Sequence, residues 1–169
     1  MCKRSVVRLC FNRDGSAMVE MAAILPFLLV LGCGVFEFGA FFYQYQMIEA
    51  GVRDAGRYLA RVSDPATSTA PCASAVLTAK EASAKDIAVT GAIGGTTKRV
   101  SWWRQSDITI TYRTVANPGY ANYRGPDPIT IVHLATTPKY PGVGFLGFLG
   151  LGTQIAFNLE HEERCIGSG

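Results

Sequence analysis

One apolar stretch near the N-terminus constrains this chain of 169 residues more than any other feature. From Met21 to Phe42 the only charged residue is Glu37, and Glu20 stands directly before the stretch. As a helix it would be about 33 Å long, enough to cross a hydrocarbon core of about 30 Å. The sequence therefore predicts a single-span membrane protein, with its transmembrane helix at about 18–43.

The distribution of charge predicts the orientation of this span. The formal net charge is +3, and the excess lies before the span, in Lys3, Arg4, Arg8 and Arg13 against Asp14. From residue 16 onward the chain has twelve basic and twelve acidic residues. The positive-inside rule places the N-terminus in the cytoplasm and the C-terminal domain outside it. The balanced remainder offers no basic surface for nucleic acid.

Two other targeting signals fit the N-terminus less well. A cleaved secretory signal has a short apolar core followed by polar chain, whereas here the apolar run continues. The sequence "VLGC" ending at Cys33 is a weak lipoprotein box, but "GVFEFGAFF" follows where a polar tether is expected. A membrane anchor that stays in the chain agrees better with both observations.

Helical periodicity continues beyond the membrane. Apolar residues recur at helical spacing in "YQYQMIEAGVRDAGRYLARV", and Glu49 and Arg53 form a favourable i,i+4 pair. We therefore predict one helix from about Ala17 to about Val62, kinked at Pro26. A second, alanine-rich helix is predicted from Ala73 to Lys85, after a proline-containing linker.

Alternating apolar and polar residues predict β-strands in the C-terminal half. They are "DITITYR" (107–113), "ITIVHL" (129–134) and "TQIAFNLEH" (153–161), with "VSWWR" (100–104) as a further candidate. A small antiparallel sheet needs an apolar surface to pack against, and the extracytoplasmic half of the long helix provides one. The predicted fold class is therefore α+β.

Catalytic and metal-binding patterns are not found. His133 lies in a predicted strand and His161 lies in "EHEER", and neither has a cysteine or carboxylate at metal-ligand spacing. The chain has no phosphate-binding loop and no nucleophile elbow. We therefore expect no enzymatic activity, no catalytic residue, no metal, no cofactor and no small-molecule substrate.

The five cysteines divide between compartments. Cys2 and Cys10 precede the span, Cys33 lies within it, and Cys72 and Cys165 follow it. An even pair in an oxidising compartment predicts a Cys72–Cys165 disulfide. Two unpaired thiols are the alternative.

The connector from Val143 to Leu151 is unusually apolar. One interpretation is a turn or short helix buried against the sheet. The other is a contact surface for a partner protein or for the membrane. In that case the contact residues would be Phe145, Leu146, Phe148 and Leu149.

The N-terminal motif resembles the start of TadE-like proteins, the pseudopilins of the tight-adherence (Tad or Flp) pilus system. The residues in the family's positions are Gly15, Val19-Glu20, Leu25-Pro26 and Glu37-Phe38-Gly39. Residues 129–164 also resemble the C-terminal part of TadE-like proteins. Residues 63–105 do not match the family in detail. The related TadG-like proteins share the motif but are typically longer.

The resemblance implies a pilin-like fold, with the long helix packed on the sheet, and cleavage by a prepilin peptidase between Gly15 and Ser16. Glu20 would then pair with the new amine of a neighbouring subunit and set the axial register of assembly. A lone carboxylate at membrane depth is unfavourable unless it is paired. The alternative is that Glu20 marks the cytoplasmic interface of a permanent anchor.

Together these features predict a minor pseudopilin of an adhesion and biofilm pilus in the bacterial inner membrane. Its parts would be a leader (1–15), a long helix (16–62), a linker with a short helix (63–86) and a β domain (87–169). The expected partners are the membrane, prepilin peptidase, other pilins and inner-membrane assembly proteins. The alternative is an uncleaved single-span scaffold that displays a small extracytoplasmic domain.

Overall fold

The computed structural model describes residues 15–62, 74–120, 128–142, 144 and 155–166. Its dominant element is helix α1, Ser16–Arg61, which has 46 residues and would be about 69 Å long. The helix runs through Pro26 without interruption. At its end the N–H of Val62 donates to the Leu59 carbonyl at 3.2 Å, and Arg61 in the last turn suits the negative end of the helix dipole.

Helix α2, Ser74–Thr90, packs against the second half of α1. It extends five residues beyond the predicted end at Lys85. Gly91 ends it in the left-handed conformation, with φ 86°, and donates its N–H to the Ile87 carbonyl at 2.8 Å. Only glycine adopts this backbone conformation readily, which explains the sharp stop.

Three antiparallel strands form the main sheet. They are β1 (Ile108–Val115), β2 (Ile129–Thr136) and β5 (Leu159–Arg164), in the order β1-β2-β5. A second sheet has two short strands, β3 (Lys139–Tyr140) and β4 (Ile155–Ala156). A long apolar helix with a small antiparallel sheet confirms the predicted α+β class.

The core lies where the second half of α1 meets α2 and one face of the main sheet. Ile48, Val52 and Leu59 of α1 are fully or almost fully buried, together with Val132 and Leu134 of β2. This is the apolar surface that the sheet was expected to need, and it comes from the second half of α1. The apolar span contributes nothing to this core.

Two glycines of α1 permit the close packing of the domain. A Cβ at Gly51 would lie 2.4 Å from the Ala88 carbonyl oxygen of α2, and a Cβ at Gly56 would lie 2.9 Å from the His161 ring of β5. Either contact is shorter than atoms tolerate. The helix therefore approaches α2 and the sheet more closely than alanine would allow.

Two strand predictions are wrong. The "VSWWR" segment is a turn, closed by the Trp103 N–H donating to the Val100 carbonyl at 3.2 Å. Trp103 is fully buried, and its indole N–H donates to Thr136 Oγ1 at 3.2 Å. The segment predicted as one strand over 153–161 is interrupted at Phe157 and Asn158. Its parts pair with different strands, β4 with β3 and β5 with β2.

Candidate assembly helix and membrane-exit junction

The start of α1 is where the predicted processing site lies. Gly15 is the N-cap with φ −83°, a conformation open to any residue, and a Cβ there would meet no atom of the described residues within 4 Å. The fold itself therefore does not require a glycine at this position. If glycine is required, the requirement comes from a molecule that binds this segment, as a peptidase would.

Glu20 lies one helical turn after Ser16 and is exposed. Within the described ranges it has no hydrogen-bond or ion-pair partner, so its carboxylate is available to another molecule. The predicted Ser16 amine exists only after cleavage, so this pairing stays a prediction. The predicted kink at Pro26 also stays a prediction.

The first half of α1 is an exposed apolar cylinder. Its most apolar window of 18 residues has a mean hydropathy of 2.2, and none of that window is buried. Met18 is 77% exposed and Phe36 is 82% exposed. By length and composition this helix is able to cross a membrane, and lipid would cover the apolar surface.

Glu37 marks the point where the exposed helix becomes a packed one. It is only 3% exposed, although Phe36 and Phe38 on either side are exposed. Its Oε1 atom would lie 3.0 Å from a Cβ at Gly142, the residue just after β3 and Pro141. Gly142 has φ 79°, which favours glycine on backbone grounds as well.

Tyr140 of β3 lies beside Glu37 in this junction. Tyr140 is 2% exposed, and its hydroxyl has no hydrogen-bond partner within the described ranges. Burial, and secondarily the charge of Glu37, raise the pKa of Tyr140 above its ordinary value. The hydroxyl therefore stays protonated at neutral pH.

Aromatic rings surround this pair and join α1 to the domain. Phe41 contacts Tyr140 at a ring-centroid distance of 5.2 Å and Phe157 at 5.6 Å, both edge to face. Trp102 contacts Tyr140 at 5.9 Å and donates its indole N–H to Gln44. We call Glu37, Phe41, Trp102, Tyr140 and Phe157 the membrane-exit junction.

Sequence reasoning missed Glu37 as a site residue. It noted Glu37 within the family motif, but the residues that bury it lie about a hundred positions further along. The available signal was a second acidic residue inside an apolar run, flanked on both sides by phenylalanine.

Some predicted site residues lie outside the described residues. These are Cys72 and the candidate contact residues Phe145, Leu146, Phe148 and Leu149. Cys165 follows β5, is 1% exposed and is not a free thiol, whereas Cys33 is free. The pairing of Cys72 with Cys165 stays a prediction.

The two histidines each contact a carboxylate. His133 lies in the centre of the main sheet, with Nδ1 3.2 Å from Thr111 Oγ1 and Nε2 3.6 Å from Glu160. His161 packs beneath Gly56 of α1, with Nε2 3.1 Å from Glu163. His161 is thus a partly buried packing residue within β5. Within the described ranges, no group of three or more His, Cys, Asp and Glu side chains is arranged to hold a metal ion.

Comparison with known families identifies the N-terminal part of the chain. The family described as "TadE-like protein" matches residues 15–57. This range begins at Gly15 and includes Glu20, the exposed span, Glu37 and much of the packed half of α1. No curated protein and no solved structure matches the chain. Over residues 15–57 the chain is therefore similar to TadE-like proteins, as its motifs indicated.

Proposed function

We propose that this protein is a minor pseudopilin, a structural and assembly component of a tight-adherence (Flp) pilus used for adhesion and biofilm formation. The observation that carries the proposal is the division of α1 into two halves. The most apolar window of the first half has no buried residue, the second half contributes to the core of the domain, and the match to the TadE-like family spans both.

Processing would begin at the end of α1 that the fold leaves open. A prepilin peptidase on the cytoplasmic side would cut between Gly15 and Ser16 and release the basic leader. The new amine of Ser16 would then form the N-terminus of α1. The lack of contacts between a Cβ at Gly15 and the described residues supports this assignment, because a protease needs a segment that the fold does not occupy.

Assembly would use the charge that cleavage creates. The Ser16 amine of one subunit and the Glu20 carboxylate of its neighbour would pair inside a low-dielectric helix bundle. Leaving either charge buried and alone is strongly unfavourable there. The pair would therefore select one axial register between adjacent helices.

The remaining roles follow from this arrangement. We propose that the protein sits in the bacterial inner membrane, with its N-terminus in the cytoplasm and its domain outside. Its partners would be prepilin peptidase, other pilins and the inner-membrane proteins of pilus assembly. The protein would perform no catalysis and bind no nucleic acid.

Cleavage distinguishes this function from an uncleaved single-span scaffold. The test is mass spectrometry of the full-length protein expressed in a piliated strain, beside the same strain without prepilin peptidase. We expect a Ser16 N-terminus in the first strain and an intact leader in the second. Gly15→Val should block cleavage without changing thermal unfolding, since the fold makes no contact there. An intact leader in the mature pool of the piliated strain would reject the pseudopilin and favour the scaffold.

A further inference from the structure

The second half of α1 has an exposed row of three arginines. Arg53, Arg57 and Arg61 recur every four residues, and all three are exposed. Residues at this spacing stand one above another on a helix surface. We call Arg53, Arg57 and Arg61 the arginine stripe.

Within the stripe, the charges of Arg57 and Arg61 are not compensated by any residue in the described part of the chain. Arg53 forms an ion pair with Glu49, one turn earlier. Neither Arg57 nor Arg61 has an ion-pair or hydrogen-bond partner in the described part of the chain. Like charges four residues apart destabilise a helix. The helix dipole offsets this effect for Arg61 in the last turn, but not for Arg57, a full turn earlier.

An open groove of about 550 Å³ adjoins these two arginines. Its one carboxylate, Asp54, already binds Arg99 Nη2 at 2.7 Å. The groove is therefore electropositive and large enough for carboxylate side chains. Its lining residues are Asp54, Arg57, Tyr58, Arg61, Val62 and Ile87.

The height of the groove above the membrane excludes lipid headgroups as its natural ligand. Arg57 lies fourteen residues after Tyr43, the last residue of the predicted span, or roughly 21 Å along the helix. The polar layer of a bilayer extends only about 5–8 Å beyond the hydrocarbon core on each side. A helix that crosses the membrane without extreme tilt carries Arg57 above this layer.

The exposed face of α1 indicates what kind of molecule reaches the groove. Below the stripe the same side of the helix is also exposed, at Gln46, Phe42 and Gly39. A second membrane helix lying parallel to α1 would therefore bring its own extracytoplasmic segment to the level of Arg57 and Arg61. Guanidinium groups bind carboxylates through paired, charge-assisted hydrogen bonds.

We propose that Arg57 and Arg61 bind an acidic segment of a neighbouring single-span protein whose membrane helix lies parallel to α1. This proposal rests on the proposed function only in taking that neighbour to be another pilin subunit. Carboxylates of the partner, bound in place of water, would reduce the repulsion between the arginine side chains of the stripe. It would also add an extracytoplasmic contact to the one proposed for Glu20 at the opposite end of α1.

The experiment uses the full-length protein in the piliated strain, with a photo-crosslinking phenylalanine analogue in place of Tyr58. Tyr58 lines the groove and is already aromatic, so the change is small. Mass spectrometry of the cross-linked product should identify a peptide of a second membrane protein with at least two acidic residues. The double variant Arg57→Glu/Arg61→Glu should reduce the yield at least tenfold, and lysines in place of the partner's acidic residues should restore it.

The control is Lys80→Glu/Lys85→Glu on α2, which changes the net charge equally away from the groove. It should leave the cross-link unchanged, and circular dichroism should show the same thermal unfolding for both double variants. No cross-link, or one to lipid, to a peptide without acidic residues or to the same chain, would overturn the proposal. An unreduced yield of cross-linked product from Arg57→Glu/Arg61→Glu would also overturn the proposal. A cross-link to an acidic peptide, formed by a protein that keeps its leader, would reject the pseudopilin function. It would still support binding of an acidic segment by Arg57 and Arg61.

Discussion

Glu37 of α1 and Gly142, the second residue after β3, lie close together. A Cβ on Gly142 would stand 3.0 Å from Glu37 Oε1, tighter than most Cβ contacts, and the residue has φ 79°. The contact ties the segment after β3 to the last turns of the span. It therefore helps to fix where the membrane helix ends and the domain begins.

Gly142→Ala should destabilise the protein through both its backbone and its contact. A left-handed alanine costs about 1–2 kcal/mol, and the close Glu37 oxygen should bring the total to about 2–3 kcal/mol. The control is Gly119→Ala, because Gly119 has φ 62° but nothing within 4 Å of its Cβ position. Thermal unfolding of the full chain in detergent measures both. Equal losses of stability in the two variants would show that the Glu37 side chain moves aside at no cost.

Gly51→Ala should destabilise the domain by forcing α1 away from α2. The new Cβ would lie 2.4 Å from the Ala88 carbonyl oxygen, a backbone atom that moves only with its helix. Overpacking of this kind costs about 1–3 kcal/mol, more than the roughly 1 kcal/mol that alanine gains in helix propensity. Gly39→Ala is the matched control, since its Cβ would meet nothing within 4 Å. A Gly51→Ala variant as stable as wild type would contradict the close packing of the two helices.

Glu20→Gln should separate assembly from processing. The amide keeps the shape of the side chain and leaves Gly15 intact, so cleavage and membrane insertion should persist. Association with other pilins should fall, because the Ser16 amine would lose its counter-ion. Co-purification with other pilins and counting of pili by electron microscopy measure this loss, after processing is confirmed by mass spectrometry. Normal assembly would remove the electrostatic mechanism, whereas loss of cleavage would mean that the peptidase reads Glu20.

The stability of the domain should fall at alkaline pH. Burial raises the pKa of Tyr140, and burial together with its hydrogen bond to Glu81 raises that of Tyr112. A folded-state pKa above the unfolded value of about 10 gives stability that is complete below pH 10 and lost as pH rises further. Each tyrosine should contribute at most about 1.4 kcal/mol of loss per pH unit.

Denaturant unfolding between pH 9 and pH 11 measures this slope. Tyr112→Phe should reduce it, because phenylalanine has no proton to lose, and Tyr140→Phe should reduce it independently. The Tyr112 hydroxyl donates to Glu81 Oε1 at 2.9 Å, so Tyr112→Phe also loses a hydrogen bond. Equal pH slopes in wild type and both variants would contradict the raised pKa values.

Cys72 and Cys165 should be joined in the mature protein. Closing a loop of about 90 residues stabilises by roughly 4–5 kcal/mol at most, and native-state strain lowers that value. Alkylation of freshly isolated membranes, followed by electrophoresis without reductant, detects the bridge as a shift in mobility. Cys33→Ser is the control, since Cys33 lies in the span and should leave the shift unchanged. Labelling of both Cys72 and Cys165 would show that no bridge exists.

Local sequence patterns were enough to predict the elements with a regular apolar period. The apolar run of membrane length and the 3.6-residue period after it predicted the long helix, and alternation around Ile108 and Val132 predicted two strands of the sheet. Trp103 was misjudged because an aromatic run favours a strand, whereas here its ring fills the core from a turn. Glu37 was missed because its burial depends on Gly142 and Tyr140, whose approach no local pattern encodes. The spacing of Arg57 and Arg61 is visible in the sequence, but only the fold shows that neither has an ion-pair partner in the described part of the chain.

The continuity of α1 from Ser16 to Arg61 has a mechanical consequence. No loop separates the exposed apolar turns from those that hold the domain, so a load applied to the domain passes along one continuous helix. Because the helix is continuous, tilting or rotating its first half would also tilt or rotate its second half. A force that draws the helix out of the bilayer would therefore lift and turn the whole domain at once.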